Sequence, residues 1–351
     1  MSTGSAFRPG FDCAEALAMM GLCAKVYEGP SHTTPDPTCG HFPNPPPPVG
    51  WAPIVQPKTT VGLDNYWELW GNTNAAGEYA IVVRGTVLSA ASILEDILLP
   101  LIAAQGSVRI RMRGSRARVG ALRYTFSRNP FAAVHLGFAI GTLALLFQDA
   151  KDGIWVRVRE IAGAGTRFFI TGHSQGAAIA TLLRSFFEHQ PIGGLGPESF
   201  KTYVFAPPKP GNDQYGFDFD RLTSLPLHAF RVANTEDWAT QVPLTLQWVH
   251  DVSTPNPVSS LRVSSAAGVA AIETALRITR QSLRRRARRK LAEAGVAQNG
   301  MSFVRSLNYD RCGSPVPLAG THSTNPENED DMLWQHHLGM YARLLRDQLC
   351  P

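Results

Sequence analysis

Residues 167–178, Arg-Phe-Phe-Ile-Thr-Gly-His-Ser-Gln-Gly-Ala-Ala, constrain this chain more than any other stretch. Five residues of strand character run into Gly-x-Ser-x-Gly, and Ala177 to Arg184 continue with strong helix formers and no proline. Such a strand–turn–helix junction lifts a serine clear of the backbone. Gly172 and Gly176 leave room for a strained turn and for close packing of helix on strand. Ser174 is therefore the candidate nucleophile, and the backbone N–H of Gln175 is placed to meet an oxyanion. The pentapeptide alone is common in a chain with this much glycine, so its flanks carry the inference.

The rest of the 351 residues predicts a mostly parallel sheet flanked by helices, the α/β-hydrolase arrangement in which such an elbow occurs. An opening helix is expected over 11–28 and a Pro-rich surface wrap over 30–58. Tyr66–Trp70 and Glu78–Val83 form a hairpin. Further strands are expected at 201–206 and 227–232, and buried helix at 131–148. Residues 1–58 are read as an N-terminal helix and wrap, and 59–351 as the main domain. An apolar fraction of 44% supports a large core. Five scattered cysteines without a C-x-x-C argue against zinc. Free thiols are the expected state, with one bridge inside the first forty residues as the alternative. Met1–Arg8 lacks a basic region followed by an apolar run, so cytoplasmic residence is the default expectation and signal-independent export the other.

A serine hydroxyl needs a base, and the base needs a carboxylate. In this fold they follow in the order serine, acid, histidine. Asp237 ends a strand and is the candidate acid, with Glu236 as its neighbour and rival. Asp213, Asp218 and Asp220 sit in what reads as a polar surface loop. His336 and His337 open the terminal amphipathic helix and are the candidate bases, with His322 and His250 as alternatives. His173 points to the other side of the elbow. No metal or organic cofactor is needed for this chemistry.

Several blocks in order resemble the class 3 (fungal-type) lipases: Val82-Val83-Arg84-Gly85-Thr86, Val134-His135-Leu136-Gly137-Phe138, the elbow at 171–178, and 203–212 (Tyr-Val-Phe-Ala-Pro-Pro-Lys-Pro-Gly-Asn). Val232-x-Asn234-x-x-Asp237 leading to Pro243, and His336-x-Leu338-x-x-Tyr341, are similar too. The resemblance spans about 60–345. It implies a carboxylic ester hydrolase, triacylglycerol lipase-like, with Ser174 as nucleophile, Asp237 as acid and His336 rather than His337 as base. It also implies Thr86 as an oxyanion donor opposite Gln175, a lid over about 88–105, and a lipid ester as substrate, with a membrane or lipid-droplet surface as the place of encounter. A phospholipase or membrane-targeting effector, and a non-catalytic lipase-like binding module, are the rival readings.

Two stretches depart from the compact pattern. Residues 106–128 hold seven arginines and read as an irregular excursion or basic hairpin. Residues 261–300 read as a basic helical insertion with Ile272, Leu276, Leu283, Ala287 and Leu291 on one face. Its basic face is solvated and packed on the body, attracted to anionic lipid, or in contact with nucleic acid. The last is not expected, because no base-reading module accompanies it.

Overall fold

The computed structural model describes residues 7–30, 42–85, 99–112, 119–190, 192–225, 227–247, 251–252, 266–297 and 300–350. Thr86, His250 and the 88–98 part of the expected lid lie outside them.

Seven strands form the main sheet in the order β1-β2-β3-β8-β9-β11-β14. They are β1 (Trp51–Val55), β2 (Trp67–Asn72), β3 (Glu78–Val83), β8 (Arg167–His173), β9 (Phe200–Phe205), β11 (Ala229–Asn234) and β14 (Ser314–Leu318). The first two pairings are antiparallel and the other four parallel. Between these in chain order, β4 (Leu101–Ala103), β7 (Ala133–His135), β10 (Gly211–Asn212) and β13 (Tyr309–Asp310) make a second sheet. A third joins β5 (Gln105–Arg111), β6 (Val119–Thr125) and β12 (Val296–Ala297).

Side-chain alternation on the central strand divides the core. Phe168 and Ile170 face one layer with α2 (Leu136–Phe147), α3 (Ile154–Ile161) and α4 (Gln175–His189). Phe169 faces the other layer with α1 (Cys13–Lys25) and the terminal helix α7 (Leu338–Gln348); α5 (Asp213–Thr223) and α6 (Ala266–Glu293) complete the α-helices among the described residues. Both faces of β8 are buried, as expected of a parallel central strand covered by helices. Each long helix begins on a suitable cap where one is present: Asp12 accepts from the Glu15 N–H at 2.9 Å, and Asn212 from the Tyr215 N–H at 3.0 Å.

Several elements differ from the expectations. Leu101–Ala103, placed within the lid, is instead strand β4, pairing antiparallel with β7 in register Leu101↔His135. Pro100 ends any helix there, and the apolar residues after it are buried in the second sheet. Residues 133–135, expected to be helical, are that partner strand, and the helix begins at Leu136. Asp213, Asp218 and Asp220 lie on α5 rather than in a loop, and Asp218 is buried, accepting from Ser127 Oγ at 2.6 Å. In the 106–128 stretch the hairpin reading, not the irregular one, is what the described residues show: Gln105–Arg111 (β5) pairs antiparallel with Val119–Thr125 (β6), while 113–118 lie outside the described residues. No helix among the described residues is long and apolar enough to cross a membrane.

The cysteines also differ. Cys13 and Cys350 form a disulfide across 337 residues, tying the start of α1 to the end of α7 where these helices lie side by side. Cys23 and Cys312 are free and buried. Burial pushes the Cys23 thiol up to about 12, so it behaves as an apolar filler rather than a reactive group. Closing so long a loop restricts the unfolded chain strongly. Replacing Cys350 with Ser should therefore lower stability by about 2–5 kcal/mol. Thermal unfolding of the variant, and of the parent with and without reductant, should show matching losses.

Candidate active site

The elbow follows from local sterics. Ser174 adopts φ 58° and ψ −130°, a region that non-glycine residues rarely occupy. A side chain on residue 172 would place its Cβ 2.4 Å from the Gly176 carbonyl oxygen. One on residue 176 would meet the Val83 carbonyl oxygen at the same distance. Only glycine fits at either position, so strand, turn and helix approach closely enough to hold the serine. The Ser174 N–H donates to the Phe205 carbonyl at 3.0 Å, and the Ala177 N–H donates to the Ser174 carbonyl at 2.9 Å.

Three chain-distant side chains meet here. Ser174 Oγ lies 2.7 Å from His336 Nε2, and His336 Nδ1 lies 2.8 Å from Asp237 Oδ2. All three residues are buried. A carboxylate accepts only, so Nδ1 carries the proton, and Nε2 is left to accept from the serine hydroxyl. Asp237 stands just past the C-terminal end of β11, and its other oxygen, Oδ1, accepts from the Ala239 N–H at 2.9 Å. The site thus lies at the carboxyl rim of the parallel strands.

The other candidates are turned elsewhere. His337 Nε2 is 3.0 Å from Asp331 Oδ2, while its backbone precedes α7. His322 is exposed and 3.2 Å from Glu236 Oε2, so the rival acid and the rival base face each other at the surface. Gln175 is the first residue of α4, at the positive end of the helix dipole. Gly85, the residue before Thr86, passes so close that a Cβ there would be 2.6 Å from the His173 carbonyl oxygen and 3.2 Å from Ser174 Cβ. Buried Arg84 fixes that approach, donating to the Asp64 carbonyl at 2.9 Å and to the Pro30 carbonyl.

Three supporting residues carry no role in the sequence reading. Tyr341 Oη donates to Asp237 Oδ2 at 2.7 Å and accepts from the Asn234 N–H at 3.0 Å. Burial, and then the Asp237 charge, push its phenol well above the usual tyrosine range, so it stays a donor. Asn234 Nδ2 donates to the Gln335 carbonyl at 2.9 Å and to Gln335 Oε1 at 2.8 Å, pinning the loop next to His336. Both lie inside motifs already noted, which is the signal that could have found them. Tyr27 has no such signal. Its Oη is 2.9 Å from His173 Nδ1, while His173 Nε2 is 2.9 Å from the His336 carbonyl oxygen. The carbonyl only accepts, so Nε2 carries the proton and Nδ1 accepts from the tyrosine. His173 is thus a strut from the 3-10 turn after α1 to the backbone of His336. Burial, reinforced by the neighbouring His336 imidazole, holds it well below the ordinary histidine range, in the neutral state this bonding requires.

A hydroxyl, an imidazole and a carboxylate at the rim of a parallel sheet, served by a strained elbow, define an α/β-hydrolase. Residues 80–247 match the family "Lipase (class 3)". The chain is also similar to a secreted mono- and diacylglycerol lipase of Malassezia globosa, 38% identical over 80 residues, which is 22% of this chain and 24% of that protein. It therefore spans about a quarter of that curated relative. Among solved structures it is similar to M37 lipase (17% identity, TM-score 0.48, 84% of this chain and 80% of that one). The lipase of Rhizopus microsporus var. chinensis gives 18% identity and TM-score 0.44, covering 68% of this chain and 73% of that one.

Two outcomes follow from the buried network. Tyr341→Phe leaves Asp237 Oδ2 and the Asn234 N–H each short of a partner and should cost about 1.5–3 kcal/mol, read by urea unfolding. His173 is neutral when folded but takes a proton in the unfolded chain below its ordinary value of 6.5. His228, pushed by burial to about 4, has the same sign. Both contributions are complete above pH 6.5 and are lost as pH falls, His228's over the window from 6.5 to about 4. Thermal midpoints measured from pH 7 downward should drop through that window.

Proposed function

We propose that this chain is a serine carboxylic ester hydrolase that cleaves acylglycerols or related lipid esters through an acyl-enzyme on Ser174. The observation that carries the reading is the single buried imidazole of His336 bonded to Ser174 Oγ on one side and Asp237 Oδ2 on the other. The lipid ester class is supported by the family match over 80–247 and by the Malassezia relative.

The steps are these. Ser174 Oγ attacks the acyl carbonyl carbon as His336 Nε2 removes its proton. Asp237, held by Tyr341 and Ala239, stabilises the imidazolium and keeps the ring oriented. The carbonyl oxygen gains a negative charge, which the Gln175 N–H at the start of α4 and the Thr86 N–H stabilise. His336 then gives its proton to the leaving alcohol oxygen as the C–O bond breaks. Water, deprotonated by His336, attacks the acyl carbon, the C–Oγ bond breaks, and the proton returns to Ser174. The neutral His173 matters here, because a second charged imidazole, its ring centroid 4.8 Å from that of His336, would oppose the imidazolium.

Ser174→Ala should lower turnover of a p-nitrophenyl ester about 10⁴–10⁶-fold with the fold intact. Asp237→Asn should cost roughly 10⁴-fold. A fluorophosphonate probe should label the parent at Ser174 and leave Ser174→Ala unlabelled. An unlabelled parent would instead support a binding module.

A further inference from the structure

The two stretches that depart from the compact pattern fold into one unit. In β12, directly after α6, Val296 pairs with Ile110 and Ala297 with Arg109 of β5, and the Arg111 N–H donates to the Gly295 carbonyl at 3.1 Å. Val108, Ile110 and Tyr124 of the hairpin share a core cluster with Ala287, Leu291, Ala294 and Val296. Gln148 Nε2, just past α2, donates to the Ala294 carbonyl at 3.3 Å, fastening the unit to the body.

Its outer surface is arginine. With Val108 and Ile110 turned inward, alternation turns Arg109 and Arg111 outward, and Arg123 stands opposite Ser107 on the same face. On α6, the seam Leu276, Leu283, Ala287 and Leu291 faces the body, which leaves Arg277, Arg285 and Arg288 exposed. Among the described residues none of these six arginines has an acidic partner. Glu293 is taken by Arg289 and Lys290, each at 3.7 Å. On the main body, by contrast, Arg157 meets both Asp152 and Glu160.

Apolar side chains stand among and beside these cations. Ile278, 60% exposed, shares a helical row with Arg285. Arg280 Nε donates to the Arg305 carbonyl at 2.8 Å. Two residues on, the Leu307 carbonyl accepts from the Leu246 N–H at 3.0 Å. Leu246 and Leu244, 51% and 74% exposed, follow the turn that carries Asp237. An apolar edge beside the site therefore runs into the basic unit. A single-stranded nucleic acid groove would need outward aromatic platforms. Here Tyr124 is buried, and the Arg284 guanidinium covers Phe303, its Cζ 5.7 Å from the ring centroid.

We infer that the hairpin and α6 together form a docking platform for an anionic lipid surface, with arginines meeting phosphate head groups and Ile278, Leu244 and Leu246 entering the apolar boundary. The inference rests on the lipid ester reading for its purpose but not for its test. Full-length protein carrying Ser174→Ala, which leaves vesicles unhydrolysed, is assayed by flotation with phosphatidylcholine vesicles and with phosphatidylcholine–phosphatidylglycerol vesicles, at low and high salt.

The expected result is salt-sensitive binding to the mixed vesicles only. Each arginine contributes about fivefold, so the triple variant Arg277→Gln/Arg285→Gln/Arg288→Gln should bind roughly a hundredfold more weakly. Arg109→Gln/Arg123→Gln on the hairpin provides an independent weakening of about 25-fold. Replacing the same three helix arginines with Lys should retain most of the binding. Hydrolysis of a soluble short-chain ester by the corresponding Ser174-containing variants should be unchanged, which separates failure of the platform from failure of the active-site reading. Equal binding to neutral vesicles, no loss in either arginine variant, or displacement from mixed vesicles by RNA at equal phosphate concentration would each overturn the inference.

Discussion

The positive φ of Ser174 is the constraint on which the rest of the site depends. A residue held there costs on the order of 1–3 kcal/mol and persists only when its surroundings over-determine it. They do so from three sides. β9 supplies the Phe205 carbonyl to the Ser174 N–H, α4 begins directly after the turn, and β3 passes close enough that position 176 admits only glycine. The strained turn is therefore a property of the parallel sheet as a whole. The same strand order brings the end of β11, and with it Asp237, to the rim where the serine stands.

The imidazole between them is held from beneath rather than by its own segment. His336 lies on a short 3-10 turn, an element with little rigidity of its own. Its carbonyl rests on His173, which rests on Tyr27 in the 3-10 turn (Val26–Glu28) that follows α1. Its neighbour Gln335 is clasped by Asn234 on β11. The first helix of the chain thus bears on a residue near its last, and the Cys13–Cys350 disulfide ties those two regions covalently. Packing of α1 against the sheet bears on the position of the base as much as on stability. Cys23, beside Thr171 on β8, and Tyr27 belong to that same packed face.

Much of this was legible in the residues. The elbow, the β2–β3 hairpin, α1, β9 and β11 each carry a local periodicity or turn chemistry of their own. What was not legible depends on partners distant in the chain. β14 reads Ser-Pro-Val-Pro-Leu, and two prolines argue against a strand; it is tolerated at the sheet edge, where a missing donor leaves no neighbour unsatisfied. β1 hides in the Pro-rich wrap for the same reason, also at an edge. A pairing across 337 residues leaves no spacing signature. The neighbours His336 and His337 look equivalent as letters. They part because one ends the 3-10 turn and faces the serine, while the other, in extended backbone before α7, meets Asp331.

The basic unit is joined to the site through a single layer of helices. α6 packs on α2, α2 packs on α4, and α4 begins at the residue after the nucleophile. Thr142 on α2 hydrogen-bonds to its own Phe138 carbonyl at 2.8 Å and reaches the Ile179 carbonyl of α4 at 3.5 Å. Gln148, which holds Ala294 at the end of α6, also accepts from the Gly62 N–H through Oε1 at 2.6 Å. Close-packed interiors transmit displacement rather than absorb it. The helix that carries the exposed arginines and the helix that opens on the nucleophile therefore belong to one continuously packed layer.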